Sequence, residues 1–127
     1  MARLRAAIIT DIHYGTNKQA TAGKKAARYI PHFVRAANRE NPDAVFEMGD
    51  RISHPDPDRE NNLARLTACF NKLAAPRYSL TGNHDIAAFS PAFNESATGC
   101  PATSYSVDIN GFHVICWNPI HIPVNPG

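Results

Sequence analysis

An aspartate and a histidine two residues apart, Asp11 and His13, could bind one metal ion together. Side chains repeat their direction every two residues in an extended chain, so the carboxylate and the imidazole can reach the same cation. Farther along, Asp50 follows Gly49, which allows the backbone to turn tightly and leaves the carboxylate at the end of its segment. A carboxylate in that position can bridge two metal ions.

A third group, Asn83-His84-Asp85, combines an amide, an imidazole and a carboxylate. The amide oxygen of Asn83 is a neutral ligand, so it would preserve the positive charge that two divalent ions keep beside two carboxylates and a bridging hydroxide. Two ions about 3.5–4 Å apart activate a water and bind the oxygens of a phosphate. His84, oriented by Asp85, could supply a proton or a hydrogen bond to a leaving oxygen. Mixed ligands of this kind suit Mn, Fe, Zn or Co better than Ca.

The three polar groups each follow a short apolar run, which predicts that they lie at the ends of β-strands. The predicted strands cover residues 4–9, 44–48 and 78–80. Two stretches with apolar residues at three- and four-residue spacing predict helices over residues 22–39 and from Asp58 to about residue 73. This order predicts an α/β layered sheet with flanking helices, in which ligands bind at the carboxyl ends of the strands.

Individual segments carry further predictions. Pro31 is expected to kink or break the first helix, because proline lacks the N–H that the helix needs. The region 89–103, rich in Pro, Ser, Ala and Asn, is predicted to be one long loop. Asn110-Gly111 between two alternating runs predicts a β-hairpin. Trp117 at the end of that hairpin is expected to pack against the protein rather than stack on a substrate.

The motifs DxH, GD and GNHD, in this order, resemble those of the calcineurin-like metallophosphoesterase family. The resemblance extends over residues 5–117, with the predicted elements in the order of that family. It implies that Asp11 and His13 hold a first metal ion and that Asp50 bridges it to a second. It also implies that Asn83 holds the second ion.

The same resemblance implies a metal-dependent phosphoesterase that hydrolyses a phosphomonoester or a phosphodiester at a dinuclear centre. His84 would contact the phosphate and help the leaving oxygen depart, assisted by Asp85. The family completes its site with later histidines, and neither His113 nor His121 is expected to replace them. We therefore expect residues 1–127 to form a single metallophosphoesterase-like domain that lacks its C-terminal half. Such a chain is expected to bind metal weakly and to self-associate or pair with a complementary C-terminal segment.

Two alternatives remain open at this point. The chain could be a truncated or degenerate metallophosphoesterase fold that acts as a metal-binding or protein-interaction scaffold, although intact motif residues favour the enzyme. Arg51 could bind phosphate or form a structural ion pair, and its position beside Asp50 does not decide between them. His54, in the loop after this pair, is expected to be a solvated surface residue.

Composition limits the other function classes. Thirteen Lys and Arg against eleven Asp and Glu give a net charge of +2, too small to indicate a nucleic acid or a membrane surface as partner. No segment approaches the roughly 20 apolar residues of a membrane helix. The three cysteines are odd in number and widely spaced, so they predict neither a disulfide framework nor a zinc ribbon. We therefore expect a cytoplasmic protein that acts on a phosphate ester.

Overall fold

The structure is a computed structural model and describes residues 2–15 and 22–118. Five strands and four helices follow one another along the described chain. They are β1 (Ala6–Ile9), α1 (Gly23–Glu40), β2 (Ala44–Glu47), α2 (Arg59–Phe70), β3 (Arg77–Ser79), α3 (Asn83–Ala88), α4 (Pro91–Thr98), β4 (Tyr105–Ile109) and β5 (Phe112–Cys116). None of the described helices is both long enough and apolar enough to cross a bilayer.

The first three strands form a parallel sheet in the order β1-β2-β3. Ala6 lies opposite Ala44 and Val45 lies opposite Arg77. Parallel strands need a crossover connection, and α1 and α2 supply the two crossovers. The central strand β2 is the most buried, while Ile8 on the edge strand β1 is exposed. The α/β sheet with flanking helices that the sequence predicts is therefore confirmed.

The two crossover helices pack against each other through their apolar faces. Buried residues of α1 and α2 form one cluster, which consists of Ala26, Ile30, Val34, Leu66 and Phe70. The predicted break at Pro31 is wrong, because α1 continues through this proline as a single helix. Ile30 and Val34 on either side of it are both buried in the cluster, so packing holds the two halves of the helix together.

The predicted loop over residues 89–103 is also wrong, since it contains helix α4. Ser90 caps this helix by accepting a hydrogen bond from the Phe93 N–H at 3.3 Å, and a proline occupies the first turn. Gly99 ends the helix in a left-handed conformation. A serine-proline start and a glycine end were therefore the sequence signals for α4.

The predicted hairpin is confirmed, with β4 and β5 antiparallel and Asn110-Gly111 at the turn. It contacts the parallel sheet at the end of β3 and at the residues that follow this strand. The Tyr105 hydroxyl donates to the Ser79 carbonyl oxygen at 3.0 Å, and the Thr81 N–H donates to Asn118 Oδ1 at 2.8 Å. Burial raises the pKa of the Tyr105 phenol, so this group stays a protonated donor at neutral pH.

Candidate metal centre

The pairing of β1 with β2 continues past both strands into the polar loops that follow them. The Asp11 N–H donates to the Gly49 carbonyl oxygen at 3.2 Å, and the His13 N–H donates to the Asp50 carbonyl oxygen at 2.9 Å. The two loops therefore run side by side, as the sequence predicts for the carboxyl ends of neighbouring parallel strands. This backbone contact brings the DxH and GD motifs together.

Three of the candidate ligands adopt a left-handed backbone conformation. Among the described residues, five that are not glycine have a positive φ, and Asn41 and Asn110 are explained by a helix end and a tight turn. The others are Asp11 at 52°, His13 at 47° and Asp50 at 54°. The predicted extended geometry of the DxH motif is thus wrong, although its two side chains still converge. Unfavourable backbone conformations of this kind concentrate at functional sites.

The spacing of the side chains fits a metal ion better than a hydrogen-bonded cluster. His13 Nε2 lies 3.9 Å from both Asp11 Oδ1 and Asp50 Oδ2, which is too long for a hydrogen bond. Two atoms bound to one ion at about 2.1 Å can lie up to about 4.2 Å apart, so these distances suit shared ligation. The other ring nitrogen of His13 is buried without a hydrogen-bond partner among the described residues. The donor set therefore fits a divalent cation.

Two glycines allow the loops after β2 and β3 to approach each other. Gly49 has a φ of 92°, and a Cβ there would lie 2.5 Å from the Gly82 backbone nitrogen. A Cβ on Gly82 would collide with the Asp50 carboxylate. This close approach lets Asp50 Oδ1 accept the His84 backbone N–H at 3.0 Å, so that Oδ2 is left on the side of His13.

The His84 ring lies beside the ring of His13, with centroids 4.7 Å apart and the planes nearly perpendicular. His13, Asp50 and His84 each offer a ligand atom within 4.8 Å of the others. However, His84 Nδ1 accepts the backbone N–H of His54 at 3.1 Å. A neutral imidazole carries one proton, so this contact assigns the proton to Nε2. That tautomer makes Nε2 a hydrogen-bond donor rather than a metal ligand.

Asn83, the remaining predicted ligand, begins α3 and is exposed. It lines a cavity of about 350 Å³ together with Asp11, Asp50 and Trp117. Asn83 therefore lines the same cavity as Asp11 and Asp50, two of the other three predicted ligands. Of the later histidines, His113 pairs with a hairpin aspartate and His121 lies outside the described residues.

The profile of the calcineurin-like phosphoesterase family matches residues 4–121, which is nearly the whole chain. The chain belongs to this family. Its structure is similar to the crystal structure of a dimetal phosphatase from Danio rerio, with a TM-score of 0.65 and 21% sequence identity. The similarity covers 76% of this chain and 34% of that phosphatase, so the chain spans about a third of the length of the solved relative. No curated protein sequence matches the chain significantly.

Asp85 is buried and binds the backbone of two loops. Its carboxylate accepts the N–H groups of Asp50 at 2.9 Å, Gly82 at 2.8 Å and Arg51 at 3.1 Å. The Arg51 guanidinium lies 3.4 Å from the same carboxylate. These partners belong to the loops after β2 and β3, and none of them is the His84 side chain. Asp85 therefore joins the two loops that carry the GD and GNHD motifs.

Arg51 forms a structural ion pair, which resolves the alternative that the sequence left open. Its side chain is only 2% exposed and donates to Glu47 Oε2 at 3.0 Å and to Asn94 Oδ1 at 2.9 Å. Burial raises the pKa of the Glu47 carboxyl, and the charge of Arg51 opposes that shift. The guanidinium is enclosed by these groups, so it is not available to bind a phosphate.

Two residues near the family motifs have a position or a contact that the sequence analysis did not predict. The expected packing role of Trp117 is wrong, because its side chain is 63% exposed at the 350 Å³ cavity. The alternation of β5 was the missed signal, since Ile115 two residues earlier is exposed and Cys116 between them is buried. His54 is exposed on the surface, as expected, and its backbone N–H also donates to His84 Nδ1, which fixes the orientation of the His84 ring.

Proposed function

We propose that this chain forms part of the active site of a metal-dependent phosphoesterase that hydrolyses a phosphomonoester or a phosphodiester. The carrying observation is the position of His13 Nε2, 3.9 Å from both the Asp11 and the Asp50 carboxylates, in a chain of the calcineurin-like phosphoesterase family. All three residues adopt a left-handed conformation, which a fold without a ligand to bind has no reason to concentrate in one place.

We assign the metal ligands as the sequence motifs indicate. Asp11 and His13 would hold one divalent ion, Asp50 would bridge to a second, and Asn83 would ligate that second ion. The chemistry of the donor set suits Mn, Fe, Zn or Co. Two such ions, when bound, lower the pKa of a shared water and neutralise charge on the phosphate.

The side chains of this protein then divide the remaining tasks. The His84 Nε2–H donates a hydrogen bond to a phosphate or leaving-group oxygen, because its Nδ1 is occupied by the His54 N–H. The His84 backbone N–H holds Asp50 Oδ1 and thereby orients Oδ2 towards His13. Asp85 positions His84 indirectly. Its carboxylate accepts the Gly82 N–H and so fixes the start of α3, the helix that carries His84.

We take residues 1–127 as a single domain. Among the described residues, the second metal ion would have only the bridging Asp50 and the neutral Asn83. We therefore propose that histidines from another segment, in a longer chain or on a partner, complete the site. The exposed Ile8 and Ile115 give the domain apolar surface for such a contact or for self-association. The three cysteines are free, which agrees with a reducing, cytoplasmic location.

Calorimetric titration of the chain with Zn²⁺ and Mn²⁺ tests the ligand assignment directly. We expect the wild-type chain to bind at least one ion and Asp50→Asn to weaken that binding by at least about 10-fold. The matched control is Asp108→Asn, since the side chain of Asp108 is 82% exposed on the hairpin and lines neither of the cavities that the candidate ligands line. Equal metal binding by the wild-type chain and Asp50→Asn would contradict the proposal, as would no binding by either.

A further inference from the structure

We propose that the 350 Å³ cavity beside the candidate ligands is a subsite for the planar aromatic group of the substrate, which stacks on the indole of Trp117. The substrate class would then be a phosphate ester of a nucleoside or of another alcohol with a flat ring. The proposal rests on the proposed function, because it places this ring next to a phosphate bound at the metal centre.

The cavity is lined by two chemically different kinds of residue. Three of the candidate ligands, Asp11, Asp50 and Asn83, give it polar groups. Met48, Leu80 and Trp117 give it apolar surface, and Met48 is 44% and Trp117 is 63% exposed. Small-molecule sites combine a mostly apolar lining with a few oriented polar groups. A charged phosphate at the polar residues and a flat apolar ring on the indole match this lining.

The exposed indole stands on a rigid part of the fold. Its neighbours in sequence, Cys116 and Asn118, are both buried. Asn118 Oδ1 accepts the Thr81 N–H at 2.8 Å, its Nδ2 donates to the Thr103 carbonyl oxygen at 3.0 Å, and its N–H donates to Ser104 Oγ at 2.9 Å. These contacts tie the backbone beside Trp117 to the residue that precedes Gly82 in the GNHD motif. The backbone that carries the indole is thus held at a fixed position relative to the candidate ligands, which lowers the entropic cost of stacking.

The size of the cavity favours a single ring system next to a phosphate. Small-molecule sites typically have volumes of about 300–1,000 Å³, and this cavity lies near the lower limit. A flat ring can stack on the indole face within that space, whereas a puckered ring of similar size cannot make the same contact. We therefore expect selectivity for planarity as well as for apolar character.

Trp117 is the only tryptophan in the chain, so its fluorescence reports on this subsite alone. The probes are adenosine 5′-monophosphate, ribose 5-phosphate and inorganic phosphate, each titrated with and without Zn²⁺ under excitation that adenine does not absorb. We expect a saturable change in emission with the nucleotide and an affinity about 5- to 100-fold weaker for ribose 5-phosphate, the range that stacking of one base provides. Equal affinities for the two phosphates would overturn the proposal.

Variants separate stacking from a general effect on the fold. Calorimetric titration with adenosine 5′-monophosphate should show retained binding for Trp117→Phe and at least about 5-fold weaker binding for Trp117→Ala. The control is Tyr29→Ala, because Tyr29 is similarly exposed at 58% but lines a different cavity beside Asp11. Unchanged binding by Trp117→Ala, or a loss caused only by Tyr29→Ala, would contradict the subsite.

The subsite and the proposed function can fail separately. Nucleotide binding at Trp117 without metal binding or hydrolysis, in the chain or in any longer form, would support the subsite and contradict the proposed phosphoesterase activity. Phenyl phosphate and cyclohexyl phosphate distinguish the converse case, since only the first has a flat ring. Hydrolysis of both with equal dependence on Trp117 would support the phosphoesterase and overturn selection of a planar group.

Discussion

Replacement of Asp85 by asparagine tests whether this residue acts through the backbone of the site. The substitution keeps the shape of the side chain and removes one charge. Asp85 is almost fully buried, and its carboxylate is surrounded by three backbone N–H groups and the Arg51 guanidinium. We predict a loss of fold stability that is present even without metal or substrate.

The size of this loss of stability follows from the hydrogen bonds that the Asp85 carboxylate accepts. An asparagine has one acceptor oxygen, so at least one of the three backbone N–H groups loses its acceptor and faces the new NH2 group. A buried N–H without a partner costs about 1–3 kcal/mol, and each remaining bond to a neutral oxygen is about 1 kcal/mol weaker than to a carboxylate. Removal of the charge also relieves the repulsion between Asp85 and Glu47, which offsets part of the loss. We therefore expect the free energy of unfolding to fall by about 3 kcal/mol.

Urea unfolding of the metal-free chain, followed by circular dichroism, measures this change. Asp108→Asn on the hairpin surface is the control and should alter the free energy of unfolding by less than about 0.5 kcal/mol. A loss below about 1 kcal/mol in Asp85→Asn, combined with a large fall in turnover of the active form, would refute the backbone role. It would instead support direct assistance of the His84 ring by Asp85.

Four further outcomes are expected. Asp50→Ala should abolish binding of the second metal ion and weaken the first, and two tightly held ions in metal analysis would remove Asp50 from the bridging role. His84→Ala should spare metal binding and slow hydrolysis by about 100-fold or more in the active form, with a smaller loss for nitrophenyl than for alkyl leaving groups. Gly82→Ala should reduce metal affinity in titration, because the added Cβ collides with the Asp50 carboxylate; unchanged affinity would count against this close approach. The chain alone should show little turnover of bis(nitrophenyl) phosphate and should self-associate in light scattering, and a monomer with two metals and rapid turnover would contradict the need for another segment.

The convergence of the candidate site residues could be predicted from local sequence, because the strands and the glycines that bring them together are encoded locally. The short apolar runs that become β1, β2 and β3 each end at a polar motif, and parallel pairing brings those ends to one edge. The backbone conformation of Asp11 and His13 could not be predicted in this way. It depends on hydrogen bonds to the loop after β2, which lies far away in the sequence.

Contacts with residues that lie far away in the sequence account for other features of the structure that the sequence analysis did not predict. The role of Arg51 depends on Asp85 and Asn94, which reach it from two later helices. No pattern around Arg51 reveals those partners, so an ion pair and a phosphate contact remained equally plausible. By contrast, the cap that begins α4 at Ser90 is encoded locally, and the polar composition of the region concealed it.

The left-handed conformation of the three candidate ligands makes the candidate centre easy to lose under any selection that rewards heat resistance alone. Glycine tolerates the conformation of Asp11, His13 and Asp50 better than the residues present, which lose about 1–2 kcal/mol each in it. A library screened only for a higher melting temperature should therefore enrich glycine at these three positions and erase the donor set. Engineering of a more robust variant must hold these positions constant and seek its gains elsewhere, for example in the exposed faces of α1 and the hairpin.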